Sequence, residues 1–155
     1  MIKTNVMRIL DKEKISYKTY DYSSLMLTNG LEIALKLNED PNHVFKTLVT
    51  IGKSKNYYIF MVNVASELDL KKCAEVVNEK NIEMIPLKEL FPLTGYVHGG
   101  CSFLGLKKNY KVTIDSSILN YNTIIFSAGK IGYQVEITIK DLLNFNNIQL
   151  KDIKM

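Results

Sequence analysis

Two β-rich runs separated by a short turn constrain the fold of this chain more than any other feature. The first run extends from His43 to Ile51 and the second from Tyr57 to Val64, and both are rich in β-branched and aromatic residues. Between them stands a cluster of turn-forming residues, Gly52 to Asn56. Because such a short connection suits neighbouring antiparallel strands, the pattern predicts a β-hairpin.

Short strands outnumber helices in the rest of the chain as well. Helical spacing of apolar residues and N-capping patterns predict helices at 2–14, 30–37, 66–78, 87–91 and 140–145. Alternating or β-rich runs predict strands at 16–22, 82–85, 111–114, 123–127 and 133–137. Since short turns join these elements, we predict one α+β domain spanning residues 1–155, with flanking helices and a curved, barrel-like sheet that is antiparallel or mixed.

The composition is that of a globular protein whose core needs neither a disulfide nor a metal. Hydrophobic residues make up 46% of the 155 residues and charged residues 23%. The chain begins with an amphipathic pattern rather than a secretory signal, and no apolar run reaches the ~18 residues of a membrane span. We therefore expect a cytoplasmic protein in which both cysteines, Cys73 and Cys101, are free thiols. Cys73 lies on the apolar face of a predicted helix, so we expect its side chain to be buried in the protein core.

The charge of the chain argues against sequence-specific reading of duplex nucleic acid. The 20 Lys and Arg residues exceed the 16 Asp and Glu residues by four, and Arg8 is the only arginine. Lysine contacts phosphate as a point charge and lacks the bidentate fork that reads guanine edges. Lysines at 107, 108, 111 and 130 form either a solvated surface or a nonspecific contact to a phosphate backbone.

Lys46 is the first candidate for chemistry. On its predicted strand it shares a face with Val44 and Leu48, where alternation predicts an apolar side chain. Such a lysine either extends along the apolar surface to solvent or is kept for a task. If it lines a pocket, its ammonium group can stabilise a developing oxyanion or bind a phosphate.

The segment TGYVHGGCSF, from Thr94 to Phe103, is the second candidate. Gly99 and Gly100 form either a tight turn or a place where backbone N–H groups approach a ligand closely, as in an oxyanion hole. His98 and Cys101 make a weak nucleophile pair, because residues three apart on an extended chain point to opposite faces. With two cysteines and two histidines and no CxxC or HxH spacing, we expect no metal site.

Several motifs, in order along the chain, resemble those of one family. Residues 44–48 resemble its V(F/Y)KTL strand, residues 68–72 its LDLKK helix start, and residues 94–102 its TGYxxGGxSP segment. Residues 114–115 and 127–132 resemble its later ID and SGGKRG motifs. The chain is therefore similar, over nearly its whole length, to the YbaK/EbsC group of aminoacyl-tRNA deacylases, which is related to the editing domain of bacterial prolyl-tRNA synthetases.

The resemblance implies a free-standing trans-editing enzyme without cofactor, metal or membrane partner. Its substrate would be a misacylated tRNA, most simply Cys-tRNA(Pro), and its product a tRNA freed of the amino acid at the 3′-terminal adenosine. The substrate would assist its own cleavage through the cysteine thiol or a ribose hydroxyl, so that the protein supplies positioning and charge stabilisation. Prolyl-tRNA synthetase is an implied partner in a ternary complex.

Two alternatives remain open beside this reading. One is a deacylase for Ala-tRNA or another misacylated tRNA. The other is a non-catalytic module of the same fold that binds an aminoacyl-tRNA or a nucleotide.

The family's functional positions fall on particular residues of this chain. By the resemblance, Lys46 would hold the terminal nucleotide or the developing charge, and Gly99 and Gly100 would place N–H groups near the ester carbonyl. The implied substrate-binding residues are Tyr20, Asn29, Thr47, Ser102, Ser127 and Gln134.

At three positions the chain departs from the family pattern. Phe103 stands where the GGxSP motif has proline, Asn29 where phenylalanine precedes the glycine of the second helix, and Gln134 where an aspartate is frequent. Asn29 can instead cap that helix. We expect these changes to affect the shape of the pocket and the amino-acid preference more than the fold.

Overall fold

The computed structural model describes residues 2–155, which form five α-helices and eight β-strands. The helices are α1 (Asn5–Lys12), α2 (Gly30–Lys36), α3 (Leu70–Val76), α4 (Leu90–Thr94) and α5 (Ile139–Leu142). The strands are β1 (Lys18–Asp21), β2 (Phe45–Gly52), β3 (Tyr57–Asn63), β4 (Ile82–Met84), β5 (Val112–Asp115), β6 (Thr123–Ser127), β7 (Tyr133–Thr138) and β8 (Ile148–Lys151). Within the described residues, every helix is too short or too polar to cross a membrane.

The predicted hairpin is confirmed and forms the middle of a five-stranded sheet. Strands β2 and β3 pair antiparallel, from Phe45 opposite Asn63 to Ile51 opposite Tyr57. Strand β4 pairs antiparallel with the other edge of β2, whereas β5 pairs parallel with β3 and β8 pairs parallel with β5. The strand order is therefore β4-β2-β3-β5-β8, and the sheet is mixed.

A second, antiparallel sheet of three strands has the order β1-β7-β6. Among the described residues, one parallel bridge, between Val44 and Ile125, is the backbone pairing that joins it to the larger sheet. The α+β class with a mixed sheet is thus as predicted, while the barrel-like arrangement consists of two sheets and is not closed.

The hairpin separates two hydrophobic clusters. Along β3, Ile59 and Met61 pack into the larger cluster between the two sheets and α1, while Phe60 and Val62 pack into a smaller cluster beneath α3. This division follows from the alternation of side chains along a strand. Cys73 of α3 is fully buried in the smaller cluster, at the core position that its helical spacing predicts. Strand β3 is therefore apolar on both faces, because each face packs against a hydrophobic cluster.

Helix α3 begins four residues later than the capping pattern predicts. Its N-cap is Asp69, whose carboxylate accepts hydrogen bonds from the N–H groups of Lys71 and Lys72 at 3.0 and 3.2 Å. Residues 66–69 do not form a helical turn, because they pair with the segment after β8. In this pairing Leu68 forms an antiparallel bridge with Lys154. A contact between distant segments thus replaces the predicted first turn of the helix.

Strand β8 has no counterpart among the predicted elements. Its four residues, Ile148-Gln149-Leu150-Lys151, do alternate apolar and polar side chains, but the run is at the lower limit of length for predicting a strand. It adds in parallel to β5, and the residues after it are held by Asp115, the last residue of β5. The carboxylate of Asp115 accepts hydrogen bonds from Ile153 N–H at 2.9 Å and Ser117 N–H at 3.1 Å.

We predict that Asp115→Ala lowers the free energy of unfolding by about 2–5 kcal/mol, because it leaves two backbone N–H groups without an acceptor. Asp115 and Ile153 are both almost fully buried, so water cannot readily replace the lost carboxylate. Urea denaturation measures the change. The control is Asp152→Ala, which removes an exposed partner of Lys72 and should cost less than about 1 kcal/mol. Equal losses for the two variants would contradict this role for Asp115.

Candidate functional site

A cavity of about 410 Å³ opens where the two sheets meet. Val44, which carries the bridge between the sheets, is part of its wall. Helix α2, strand β2, the loop after α4 and the three-stranded sheet each contribute to the lining. Of the residues that the sequence predicts to be functional, the structure brings six to this cavity: Asn29, Lys46, Thr47, Gly99, Ser127 and Gln134.

Lys46 combines an apolar strand position with a charged end at the cavity. It lies opposite Val62 on the face of β2 that Leu48 shares, and its side chain is 28% exposed. The ammonium nitrogen is 3.4 Å from a carboxylate oxygen of Glu67, whose side chain is 75% exposed. Because an ion pair with so exposed a partner is worth at most about 1 kcal/mol, an anionic ligand can displace Glu67 from Lys46.

Thr47, the next residue, offers a hydroxyl group that the protein leaves unbonded. Its Oγ1 is buried and has no hydrogen-bond partner among residues 2–155. Since a buried polar atom without a partner costs about 1–3 kcal/mol, such an atom beside a cavity is suited to bind a ligand. Both amide atoms of Asn63 are likewise buried without a partner, although Asn63 is not part of the cavity lining.

The two glycines of the loop after α4 have different roles. Gly99 lines the cavity and adopts a φ of +86°, and a Cβ there would lie 3.0 Å from Cβ of Thr28. Its N–H group donates to no acceptor within the described part of the chain. The N–H group of Gly100, in contrast, donates to the carbonyl of Val97 at 3.0 Å and closes a turn. Of the two glycines, Gly99 therefore has the free N–H group that could bind a ligand, and the prediction that Gly100 contributes its N–H group to an oxyanion hole is wrong.

Gln134 and Ser127 lie opposite each other on β7 and β6 and form the wall that the smaller sheet contributes. The hydroxyl oxygen of Ser127 accepts a hydrogen bond from Gly129 N–H at 3.1 Å. The side-chain amide of Gln134, with its nitrogen placed toward Glu39, donates to the two carboxylate oxygens of Glu39 at 2.8 and 3.3 Å. Burial raises the pKa of Glu39 to about 7, and the nearby charge of Glu136 adds to this effect.

Two predicted residues, Tyr20 and Ser102, lie outside the cavity lining, and Asn29 in the lining also has a role in the fold. Tyr20 pairs with Gln134 across the sheet but is not part of the lining, and its hydroxyl donates to Glu136. That hydrogen bond, together with burial, raises the pKa of Tyr20 to about 12. Ser102 is fully buried, and its hydroxyl oxygen accepts from Leu104 N–H at 3.4 Å. Asn29 caps α2 as predicted, with Oδ1 accepting from Glu32 N–H at 3.0 Å.

Cys101 and His98 both line the cavity, but the state of the thiol opposes a nucleophilic role. Cys101 is only 9% exposed, and burial raises the pKa of its thiol to about 12. At neutral pH the thiol therefore stays protonated, whereas the thiolate is the nucleophile. Within residues 2–155, no group of three or more His, Cys, Asp and Glu side chains is arranged to hold a metal ion.

Phe103 belongs to the core and not to the cavity. It is 3% exposed, and its ring packs against those of Phe126 and Phe145, with centroids 4.9 and 6.2 Å away. Of the three departures from the family pattern, Asn29 and Gln134 therefore contact the cavity, whereas the expectation that Phe103 shapes it is wrong.

Two carboxylates near the cavity could not be predicted from the sequence pattern. Glu67 precedes the LDLKK segment, and Glu39 follows α2 in a polar stretch, so each sits in the pattern of an ordinary exposed residue. Their partners, Lys46 and Gln134, are distant in sequence. Only the packing of separate segments brings these groups together.

Comparison with known proteins places this geometry in context. The sequence profile of the aminoacyl-tRNA editing domain matches residues 31–145. A protein of Enterococcus faecalis named as a candidate Cys-tRNA(Pro)/Cys-tRNA(Cys) deacylase, EbsC, is 37% identical over 152 residues, which cover 97% of this chain and 93% of that protein.

Solved structures show the same fold at lower identity. A candidate trans-editing enzyme for prolyl-tRNA synthetase superposes with a TM-score of 0.82 at 22% identity, covering 100% of this chain and 99% of that one. A hypothetical protein superposes with a TM-score of 0.88 at 17% identity, covering 97% of this chain and 99% of that one.

We predict that Cys101 reacts with iodoacetamide at pH 7.5 about 10²- to 10³-fold more slowly in the folded protein than in urea, because the thiolate is scarce when the pKa is near 12. Mass spectrometry of the Cys73→Ser variant isolates the reaction of Cys101. Cys101→Ser serves as the matched control for Cys73, whose pKa burial also raises to about 12. Equal rates in the folded and unfolded chain would contradict the raised pKa of Cys101, and a faster rate in the folded chain would show that Cys101 is an activated thiol.

Proposed function

The chain belongs to the aminoacyl-tRNA editing domain family and is an aminoacyl-tRNA deacylase, and from this premise we propose that it removes cysteine from Cys-tRNA(Pro) in a trans-editing reaction. The observation that carries the proposal is the cavity of about 410 Å³ with the Lys46 ammonium group in its wall. Its volume lies in the range of small-molecule sites, which suits an aminoacyl group at the end of a tRNA.

Three hydrogen-bond donors at the cavity support a role in stabilising an ester carbonyl. Lys46 supplies a positive charge, Gly99 a backbone N–H group without an acceptor, and Thr47 an unbonded hydroxyl. Donors that are fixed before the reaction stabilise the negative charge that develops on the carbonyl oxygen. We assign the charge stabilisation to Lys46 and Gly99, and the orientation of the substrate to Thr47.

The nucleophile comes from the substrate in this proposal. The thiol of the esterified cysteine attacks its own carbonyl carbon, so that an S–C bond forms and the ester C–O bond breaks. The thiol proton ends on the ribose oxygen of the released tRNA, and the cysteine leaves as a cyclic thioester. A protonated Cys101 supports this assignment, because the protein then has no thiolate in the cavity to compete with the substrate thiol.

A deacylase for Ala-tRNA or another misacylated tRNA is the second candidate. The observation in its favour is that Asn29 and Gln134, two of the departures from the family pattern, both line the cavity. Side chains that contact the amino acid directly are those that set its selection. For a substrate without a thiol, a ribose hydroxyl would activate water in place of the internal attack.

Prolyl-tRNA synthetase is the proposed partner. The net charge of +4 is small for a protein that binds tRNA by electrostatics alone. A synthetase that holds the body of the tRNA would raise the effective concentration of the acceptor end at the cavity. The cytoplasmic location remains a prediction that accompanies this proposal.

A panel of charged tRNAs tests the proposed function. We expect rapid release of cysteine from Cys-tRNA(Pro), slower or no release from Ala-tRNA(Pro) and Ser-tRNA(Ser), and no release from Pro-tRNA(Pro). Acid-gel separation of charged and uncharged tRNA measures the rates. Preference for Ala-tRNA(Pro) would favour the second candidate, and no release from any tRNA at concentrations where a known deacylase works would contradict both.

We predict that Lys46→Ala lowers kcat by about 10²- to 10³-fold with little change in KM, because a group that acts on the developing charge matters most in the transition state. Single-turnover deacylation of Cys-tRNA(Pro) measures the effect. The control is Lys53→Ala, which removes an exposed lysine from the turn at the far end of the same hairpin and should change neither parameter. An unchanged kcat for Lys46→Ala would show that the lysine has no part in the reaction, and a raised KM alone would assign it to binding.

A further inference from the structure

A half-buried carboxylate without a cationic partner lies behind the cavity. Glu39 follows α2, where a turn with Asn38 at φ +57° ends the helix, and its N–H group donates to the carbonyl of Ala34 at 2.9 Å. Among residues 2–155, no Lys, Arg or His nitrogen lies within 4.0 Å of this carboxylate. A carboxylate that is partly withdrawn from water is usually paired with a cation, and half-buried Glu39 has an amide as its partner instead.

Gln134 connects this carboxylate to the cavity. It is 5% exposed, lines the cavity, and donates its amide nitrogen to Glu39. An amide has one donor end and one acceptor end, so with the nitrogen bound, the carbonyl oxygen is what Gln134 can offer to a ligand. A carboxylate on the nitrogen polarises the amide and makes its carbonyl oxygen a stronger acceptor.

The surrounding groups reinforce the negative character of this wall. Glu136 is two residues beyond Gln134 on the same face of β7, and its carboxylate accepts hydrogen bonds from Tyr20 and, at 2.5 Å, from Thr123. Burial acts to raise the pKa of Glu136, but these two hydrogen bonds bring it below its ordinary value, so the group is ionised at neutral pH. The cavity thus has Lys46 in one wall and two carboxylates behind another.

We propose that Glu39, acting through Gln134, is a positioning residue that selects the free α-ammonium group of the aminoacyl ester. The inference rests on the proposed function, because an aminoacyl ester carries a cation one carbon away from its reacting carbonyl. An ammonium donor held by the polarised carbonyl of Gln134 would fix the amino acid with its ester oxygen toward Lys46 and Gly99. The site would then reject esters whose amine is acylated, such as the ends of peptidyl-tRNA and formylated initiator tRNA.

The test compares two substrates that differ at the α-amine, Cys-tRNA(Pro) with its free ammonium group and N-acetyl-Cys-tRNA(Pro) with a neutral, bulkier amide, for wild type and Glu39→Gln. A hydrogen bond to a charged group is worth about 1.5–3 kcal/mol, which corresponds to roughly 10- to 100-fold in affinity. We therefore expect Glu39→Gln to raise KM for the free-amine substrate by roughly tenfold or more, with kcat changed less than about threefold. The same variant should leave KM for the acetylated substrate unchanged.

Two further variants separate positioning from structure. Glu32→Gln removes an exposed carboxylate on α2 and should match wild type on both substrates. Glu39→Asp keeps the carboxylate and should recover part of the preference for the free amine. A Glu39→Gln variant that folds, as judged by urea denaturation, and keeps the wild-type preference would overturn the inference.

The pH dependence gives a second readout. The pKa of Glu39 is raised to about 7, so the carboxylate loses its charge as the pH falls through 7, and KM for Cys-tRNA(Pro) should rise there in wild type. Other titratable groups face this cluster: Lys18, Tyr20, Tyr22, His43 and Glu136. Since all of them remain in Glu39→Gln, the rise in KM must vanish in that variant. A rise that persists there would assign the effect to one of the other groups and overturn this part of the inference.

A binding measurement keeps the inference separable from the proposed function. An adenosine that carries cysteine through a 3′-amide in place of the ester is resistant to cleavage and can be prepared with a free or an acetylated amine. Calorimetry should show that wild type prefers the free amine and that Glu39→Gln does not. If wild type cleaves no tRNA but binds the free amine preferentially, the proposed function is wrong and the inference stands. If wild type cleaves Cys-tRNA(Pro) but binds both forms equally, the proposed function stands and the inference is wrong.

Discussion

The alternation of side chains along the β2–β3 hairpin is the constraint on which the rest of the structure depends. One face of β3 supplies Ile59 and Met61 to the cluster between the sheets, and the other supplies Phe60 and Val62 to the cluster beneath α3. The same alternation puts Lys46 and Thr47 on opposite faces of β2, and both still contribute to the cavity because it lies where the strand begins and the second sheet meets it. The hairpin therefore determines both where the core lies and where a ligand can enter.

Whether a feature of this molecule can be predicted from the sequence depends on how far apart in the chain its interacting residues lie. The hairpin and the cap that Asn29 makes on α2 could be predicted, because the interactions that form them lie within a few residues. Strand β8 and the late start of α3 could not, since both depend on pairing between distant segments. In the candidate site, the motif residues Lys46 and Gly99 reach the cavity, whereas Gly100 is engaged in a turn whose closure the motif does not reveal.

The electrostatics of the cavity come from burial more than from ion pairs. Its lysine has a partner that is mostly exposed, and Glu39 has an amide for a partner in place of a cation. Each charge is thus weakly compensated by the protein itself, which leaves it free to interact with a ligand of opposite sign. An aminoacyl ester, with phosphates on one side of its carbonyl and an ammonium group on the other, has the complementary distribution.

The position of the cavity between segments far apart in sequence has a consequence for how the protein folds. Tyr20 and Glu136, whose contact ties β1 to β7, are separated by 116 positions, while the hairpin closes within about twenty. Since the entropy of loop closure is lost before a distant contact forms, local elements assemble early and the sheet junction late. An incompletely folded chain therefore contains the lysine strand but not the cavity around it, and the ability to bind a substrate appears only with the last cooperative step of folding.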